Sequence, residues 1–192
     1  LPVVISVPSG NYGNLTAGLL AKEMGLPVSK FIAASNVNRP VPDYLETGVF
    51  NPRPSIETIA NAMDVGNPSN FERILTLYQN SREKICEVIK ARSFTDKQIK
   101  TIIRQTWEKT GYLPDPHGAI GYGALKQYLK KEKATGIFLE TAHPAKFNSV
   151  MEELTGEKME LPENLKQFDA GTKRSIRMDN NYQELKYFLM EE

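Results

Sequence analysis

The sequence predicts an α/β fold built on a parallel sheet, and three observations carry that expectation. Short runs at residues 3–7, 30–35 and 136–140 are apolar or small at almost every position. They lack the polar alternation of a strand with one wet face, so each reads as buried on both sides. Between the first two runs lies a small-residue segment, 15–24, of helical length, which Gly25 can close. Strand, helix and strand joined by connections this short form a βαβ unit with parallel strands.

Length and composition bound the answer. At 192 residues the chain is long enough for a good single core, and 24% charged with 40% hydrophobic residues is ordinary globular usage. A net charge of +1 gives no footprint for nucleic acid or for a membrane surface. No apolar run approaches the roughly 20 residues a bilayer span needs, and no signal peptide opens the sequence, so the cytoplasm is the expected compartment. A single cysteine, Cys86, excludes an internal disulfide framework. With only His117 and His143 as histidines, no zinc-ligand spacing exists. A Gly-x-Ser-x-Gly elbow is also absent.

The first strand turns into its helix through Ser9-Gly10-Asn11-Tyr12-Gly13-Asn14. Backbone N–H groups at a helix start have no intrahelical partner and the helix dipole favours negative charge there, so this turn reads as an anion site. Gly10 and Gly13 are expected to take positive φ and to admit a phosphate close to the backbone. Asn11 and Asn14 tolerate the left-handed region and add amides. The loop is neither a Walker A motif nor a dinucleotide fingerprint. By pattern it is a phosphate cradle of unnamed ligand, or a tight turn that binds nothing.

The chain continues with a second strand at 30–35, and Asn36-Val37-Asn38 follow at its carboxyl end, the edge where ligands sit in open α/β sheets. Their amides serve either as turn formers or as ligand contacts. Pro40, Pro42, Pro52 and Pro54 make 39–54 a loop with nothing regular beyond short turns. Ser55 is then expected to cap a short helix ending near 61–65, where Asp64 reads as a hydrogen-bond acceptor. From 69 to 133 the pattern is mostly helical. Phe71, Ile74, Leu75 and Tyr78 form one stripe, and Ile85, Val88 and Ile89 continue another. Cys86 in that stripe reads as an inert buried thiol, and Trp107 on a later helix (95–109) as packing. Asp115-Pro116 opens a further helix whose small residues predict close packing, with His117 read first as a hydrogen-bonded structural histidine and, as the alternative, facing the ligand pocket. The run 136–140 delivers Thr141-Ala142-His143-Pro144 to the sheet edge that carries the Gly/Asn turn. The charged tail from 152 holds a short helix opening at 161–163 and a final one at 180–190, both packing elements without catalytic marks.

The block Val7-Pro8-Ser9-Gly10-Asn11-Tyr12-Gly13-Asn14-Leu15-Thr16-Ala17-Gly18 resembles the cofactor-phosphate loop of threonine synthases, in the fold-type-II pyridoxal-phosphate family, with Tyr12 where those enzymes usually have Phe. Four further blocks are similar to the same enzymes: Phe31 to Asn38, Asn61 to Val65, Asp115 to Leu125, and Thr141-Ala142-His143-Pro144-Ala145-Lys146-Phe147. The resemblance implies pyridoxal phosphate as cofactor, O-phosphohomoserine and water as substrates, and threonine and phosphate as products. It implies Ser9, Gly10, Asn11, Tyr12, Gly13 and Asn14 around the cofactor phosphate and Thr141 at the pyridine nitrogen. A neutral partner there suits chemistry at the β and γ carbons. Lys146, His143 and Asn38 are the implied substrate contacts, although Lys146 and His143 also read as groups that solvate and cap a helix start. The Schiff-base lysine of the family lies upstream of the phosphate loop. The whole chain, 1–192, is therefore expected to be the C-terminal part of a cofactor-binding domain, inactive alone, with the N-terminal part of the same enzyme as partner and a homo-oligomer as a further expectation. The competing reading is a non-enzymatic α/β domain that binds an anion or nucleotide through the same loop.

Overall fold

In the computed structural model, residues 1–159, 161–163, 166 and 171–190 are described. They divide into two compact units, 1–159 and 160–192. The first unit holds a four-stranded parallel sheet in the order β3-β2-β1-β4. The strands are β1 (Val3–Pro8), β2 (Lys30–Ser35), β3 (Ile89–Ser93) and β4 (Thr135–Phe138). Strand direction and register are uniform: Ile5 lies beside Phe31 on one side and Ile137 on the other.

Helices cover both faces, as an all-parallel sheet requires. On β2, Phe31 and Ala33 point to one face while Ile32 and Ala34 point to the other, the period of two that a pleated strand imposes. The Phe31 face packs against α1 (Gly13–Glu23), α2 (Pro40–Thr47), α3 (Phe71–Leu77) and α4 (Arg82–Val88), through Leu15, Leu19, Val41, Tyr44, Phe71, Ile74 and Ile85. The Ile32 face packs against α5 (Asp96–Thr110), α6 (Pro116–Leu129) and α7 (Asn148–Thr155), through Ile99, Ile103, Ile120, Ala124, Met151 and Leu154.

The small residues of α6 do what their size predicts. Ser6 Oγ on β1 donates to Gly121 O at 2.7 Å, and a Cβ on Gly121 would press on Pro8 Cδ at 3.3 Å. A Cβ on Gly123 would meet Ile102 Cδ1 at 2.5 Å. Close seating of α6 under the carboxyl end of β1 therefore depends on missing side chains.

Several expectations need correcting. Residues 39–54 are not wholly irregular, because α2 forms with Pro40 at its first position and Pro42 two residues on. Neither proline costs a hydrogen bond there, since first-turn N–H groups have no helical acceptor. Arg39 braces the helix by pairing with Asp43 and Glu46, each at 2.6 Å. Ser55 caps no helix. The segment after it has no regular structure before the 3₁₀ turn Asn61–Met63. Within the supposedly helical stretch 69–133, Ile89 does not continue the α4 stripe but opens β3. Run 136–140 is not a buried strand: β4 lies at one end of the sheet, with Ile137 45% exposed. Cys86 is half-buried, with Sγ 3.7 Å from Leu45 O.

In the second unit the described residues include α8 (Tyr182–Met190). The helix expected to open at 161–163 falls largely outside the described residues.

Candidate functional site

The strand order turns back at β1: the chain moves outward through β2 and β3, then returns to place β4 on the other side of β1. The crevice at the carboxyl ends of two such strands is where doubly wound sheets bind ligands. A pocket of about 550 Å³ opens there. The turn after β1 supplies Gly10 to Asn14, the segment after β4 supplies Thr141, Ala142, Lys146 and Phe147, the 3₁₀ turn supplies Asn61 to Met63, and α6 supplies His117.

The turn after β1 is held open from behind. Ser9 N–H donates to Ala34 O at 2.9 Å and Ser9 Oγ donates to Asn14 Oδ1 at 2.9 Å. Asn14 Oδ1 also accepts from Leu15 N, while Asn14 Nδ2 donates to Pro8 O, each at 2.9 Å. Asn11 Oδ1 accepts from Ser69 N at 2.6 Å. The asparagine amides are thus spent on bracing the loop, Asn14 from within it and Asn11 through Ser69. What remains is backbone: among the described residues, the N–H groups of Gly10, Asn11, Tyr12, Gly13 and Asn14 have no acceptor. Five consecutive unpaired donors at a helix N-terminus, opening on a pocket, form an anion cradle.

The left-handed residue in this turn is Tyr12, at φ 63°, and neither Gly10 nor Gly13 has positive φ. The glycines serve close approach instead. A Cβ on Gly10 would lie 2.6 Å from Met63 Cα, so its absence lets the 3₁₀ turn close the pocket floor. A Cβ on Gly13 would meet Asn70 Nδ2 at 3.4 Å, an ordinary contact. Tyr12 points its ring into the core, 1% exposed. Burial pushes its phenol up, with Ser35 beside it partly opposing the shift, and neither hydroxyl completes hydrogen-bond geometry with a described group.

Thr141 lines the pocket and its hydroxyl bonds no described residue. Lys146 lines it too, without an ion pair among the described residues. His143 is absent from the lining: it caps the 3₁₀ turn Pro144–Phe147, its Nδ1 accepting from Ala145 N at 3.1 Å. Asn38 is also elsewhere. Its amide is satisfied by Ile56 O at 2.8 Å, Ile56 N at 2.7 Å and Asp64 Oδ1 at 3.2 Å. Asp64 gathers four donors, from Asn36, Asn38 and both the N–H and hydroxyl of Thr58, and so ties the 39–64 segment to the end of β2.

One part of the site could not be read from the sequence. Asp115 caps α6 and is fully buried. Its Oδ1 accepts from His117 N at 2.8 Å and lies 2.6 Å from His117 Nδ1. Burial pushes the Asp115 carboxyl up, but hydrogen bonds from His117 and Glu140 outweigh it and hold the group below the usual carboxylate range. The Glu140 carboxyl lies on Gly118 at the start of α6, where even a Cβ would collide with it. Burial, then its contact with the Asp115 carboxylate, pushes Glu140 up to about 8, partly opposed by Tyr112. Asp115 Oδ2 is buried and accepts from no N–H or fixed hydroxyl among the described residues. Glu140 interacts with the Asp115 carboxyl and, when protonated, can donate to it. His117 was readable as a hydrogen-bonded histidine, and it is one, yet it also lines the pocket with Nε2 buried and unpartnered. Glu140 is 25 residues from Asp115 in sequence, and no local spacing joins them.

These residues fit a phosphorylated cofactor: a row of unpaired N–H groups, a free hydroxyl and a lysine line one pocket. Residues 1–139 match the model of the pyridoxal-phosphate dependent enzyme family, and residues 118–189 match that of the threonine synthase C-terminal region. The threonine synthase of Haemophilus influenzae is 42% identical over 98% of this chain and 44% of that protein. The crystal structure of threonine synthase from Escherichia coli superposes with a TM-score of 0.89 at 39% identity, over 98% of this chain and 44% of that one. Pyridoxal-phosphate-bound threonine synthase from Brucella melitensis superposes at 0.87 with 28% identity, over 98% and 46%. The chain therefore spans less than half the length of these relatives. Cradle, strand order and family match agree, and the chain belongs to the pyridoxal-phosphate dependent enzymes.

Proposed function

We propose that this chain is the phosphate-cradle portion of a threonine synthase, the enzyme that converts O-phosphohomoserine and water to threonine and phosphate. The observation that carries the reading is the row of five unpaired N–H groups, Gly10 to Asn14, facing the same pocket as Thr141 and Lys146. Similarity to threonine synthases along 98% of the chain supports the same choice of substrate.

When bound, pyridoxal phosphate supplies an electron sink for chemistry at the amino-acid carbons. The chain's own residues do the holding. The N–H row takes the cofactor's phosphate, with Ser9, Asn11 and Asn14 bracing the loop and Gly10 admitting the 3₁₀ turn. Thr141 offers its hydroxyl to the ring nitrogen, a neutral partner that leaves the nitrogen without a full charge. Lys146 faces the substrate's phosphate, on a turn that His143 caps. The lysine that holds the cofactor covalently comes from an upstream part of the enzyme, so the 192-residue chain alone is inactive. The complete enzyme works in the cytoplasm, as a homo-oligomer.

The test combines this chain with the upstream portion and follows cofactor absorbance and phosphate release from O-phosphohomoserine. Turnover is expected in the combination and not in the chain alone. Thr141→Val should lower turnover about tenfold, up to about a hundredfold, for a hydrogen bond worth about 1–3 kcal/mol, while cofactor retention stays near the parent level. A combination that binds pyridoxal phosphate but releases no phosphate overturns the substrate assignment, and parental turnover in Thr141→Val removes Thr141 from the site.

A further inference from the structure

His117 is 3% exposed, lines the pocket, and carries an unpartnered Nε2. A packing histidine at this depth would have both ring nitrogens satisfied. Here only one is. The other side of the ring is over-determined: Asp115 Oδ1 takes both the backbone N–H and Nδ1 of His117, and the Asp115 carboxyl also interacts with Glu140. An ionised Asp115 requires Nδ1 to carry the proton, which leaves the Nε2 lone pair unpaired on a residue that lines the pocket. His143 is held the opposite way, since its Nδ1 accepts from Ala145 N–H. The two histidines are thus fixed in opposite tautomers when neutral.

We propose that His117 is a proton-transfer residue of this pocket, its Nε2 taking a proton from a bound ligand and returning it, with Asp115 and Glu140 as the residues that position it. Taking the proton breaks a ligand–hydrogen bond, leaves the electron pair on the ligand, and turns imidazole into imidazolium. Returning it reverses each change, so no co-reactant is consumed. Glu140 holds Asp115 in register by donating its own proton to the Asp115 carboxyl. The charged and titratable groups around the ring are Asp115 on Nδ1, Glu140 after β4 reaching it through Asp115 with Tyr112 beside it, and Lys146 lining the same pocket, while the Phe147 ring is centred 5.2 Å away. The inference rests on the proposed function only for the identity of the ligand.

The experiment uses the holoenzyme that carries this chain, labelled with nitrogen-15 at histidine. The His117 ring, assigned by its loss in His117→Asn, should show the Nδ1–H tautomer, and its Nε2 signal should move on saturation with O-phosphohomoserine. His117→Asn can still donate to Asp115 but has no Nε2. It should lower kcat about a hundredfold or more, with KM, cofactor content and melting temperature at parental values, and should remove one limb of the kcat pH profile. Asp115→Asn keeps the side-chain shape, and there the Nδ1–H preference should be lost, a reading that stands if His117→Asn does not fold. An Nε2–H tautomer in the parent, parental kcat in His117→Asn, or a kcat loss matched by loss of bound cofactor overturns the proposal. If the parent does not process O-phosphohomoserine at all, the substrate assignment fails. The tautomer, and the response of Nε2 to pyridoxal phosphate alone, still decide the role of His117, an unresponsive Nε2 counting against it.

Discussion

Tyr12 holds a backbone conformation at φ 63° while the glycines on either side of it do not. Strain of that kind costs about 1–3 kcal/mol, and burying an aromatic ring returns about 1.5–3 kcal/mol, so the core side of the turn compensates for its backbone. The hydroxyl adds nothing to that balance, being buried beside Ser35 without a completed hydrogen bond. Tyr12→Phe is therefore expected to stabilise the fold by about 1 kcal/mol and to leave cofactor retention unchanged, measured by denaturant midpoint and absorbance. Glu140 makes a second prediction. Burial and the neighbouring Asp115 carboxylate push its carboxyl up to about 8 from the ordinary 4.5. The native state therefore binds the proton more tightly, and stability falls as pH rises from about 4.5 to about 8. Glu140→Gln keeps a donor toward Asp115 at every pH, so the slope from this group should vanish in denaturation curves between pH 5 and 9. An unchanged slope would show that Glu140 titrates normally.

At the scale of elements, the pocket floor depends on two contacts between separate segments. The 3₁₀ turn Asn61–Met63 rests where Gly10 lacks a side chain, and Asp64 anchors the same turn to Asn36, Asn38 and Thr58. Gly10→Val should displace the turn and weaken cofactor retention through loss of the floor, more strongly than Gly13→Val, whose neighbour is only the Asn70 side chain. Equal losses of bound pyridoxal phosphate in both variants would count against this ranking. Asp64→Ala removes an acceptor from four donors and leaves the Thr58 N–H and hydroxyl without one, which should cost about 3 kcal/mol, with faster hydrogen exchange in 56–64 than in the sheet. Parental exchange there would mean the loop is held by other contacts.

For the first unit as a whole, the two ends of the sheet differ. β3 carries Lys90 and Arg92, exposed or half-buried charges of the kind that protect an edge from pairing. β4 reads Thr-Gly-Ile-Phe, has no charge, and exposes Ile137 at 45%. The inner strands, β1 and β2, each have neighbours on both sides within the chain, so any tendency to associate belongs to β4. The isolated chain is expected to self-associate at micromolar concentration through this edge, and Ile137→Lys should shift sedimentation toward monomer. A parent that sediments as monomer throughout would remove the edge as an interface.

The boundaries of β2, the cap and proline at the start of α6, and the strand-to-helix turn after β1 with its unpaired N–H groups were legible in the sequence, because each depends on residues within a turn or two of one another. Local chemistry decides them: buried strands must be apolar on both faces, helix starts need a cap, and unpaired N–H groups gather where a strand turns into a helix. Tertiary structure decided the rest. It made Ile89 a strand because a place beside β2 outweighed a helical stripe, and it made β4 an edge because strand order is not written in any one strand. It left Tyr12, rather than glycine, in the left-handed region because the core wanted its ring. It brought Glu140 to Asp115 across 25 residues of sequence, where only the packing of β4's end against the start of α6 sets which carboxyl keeps the proton.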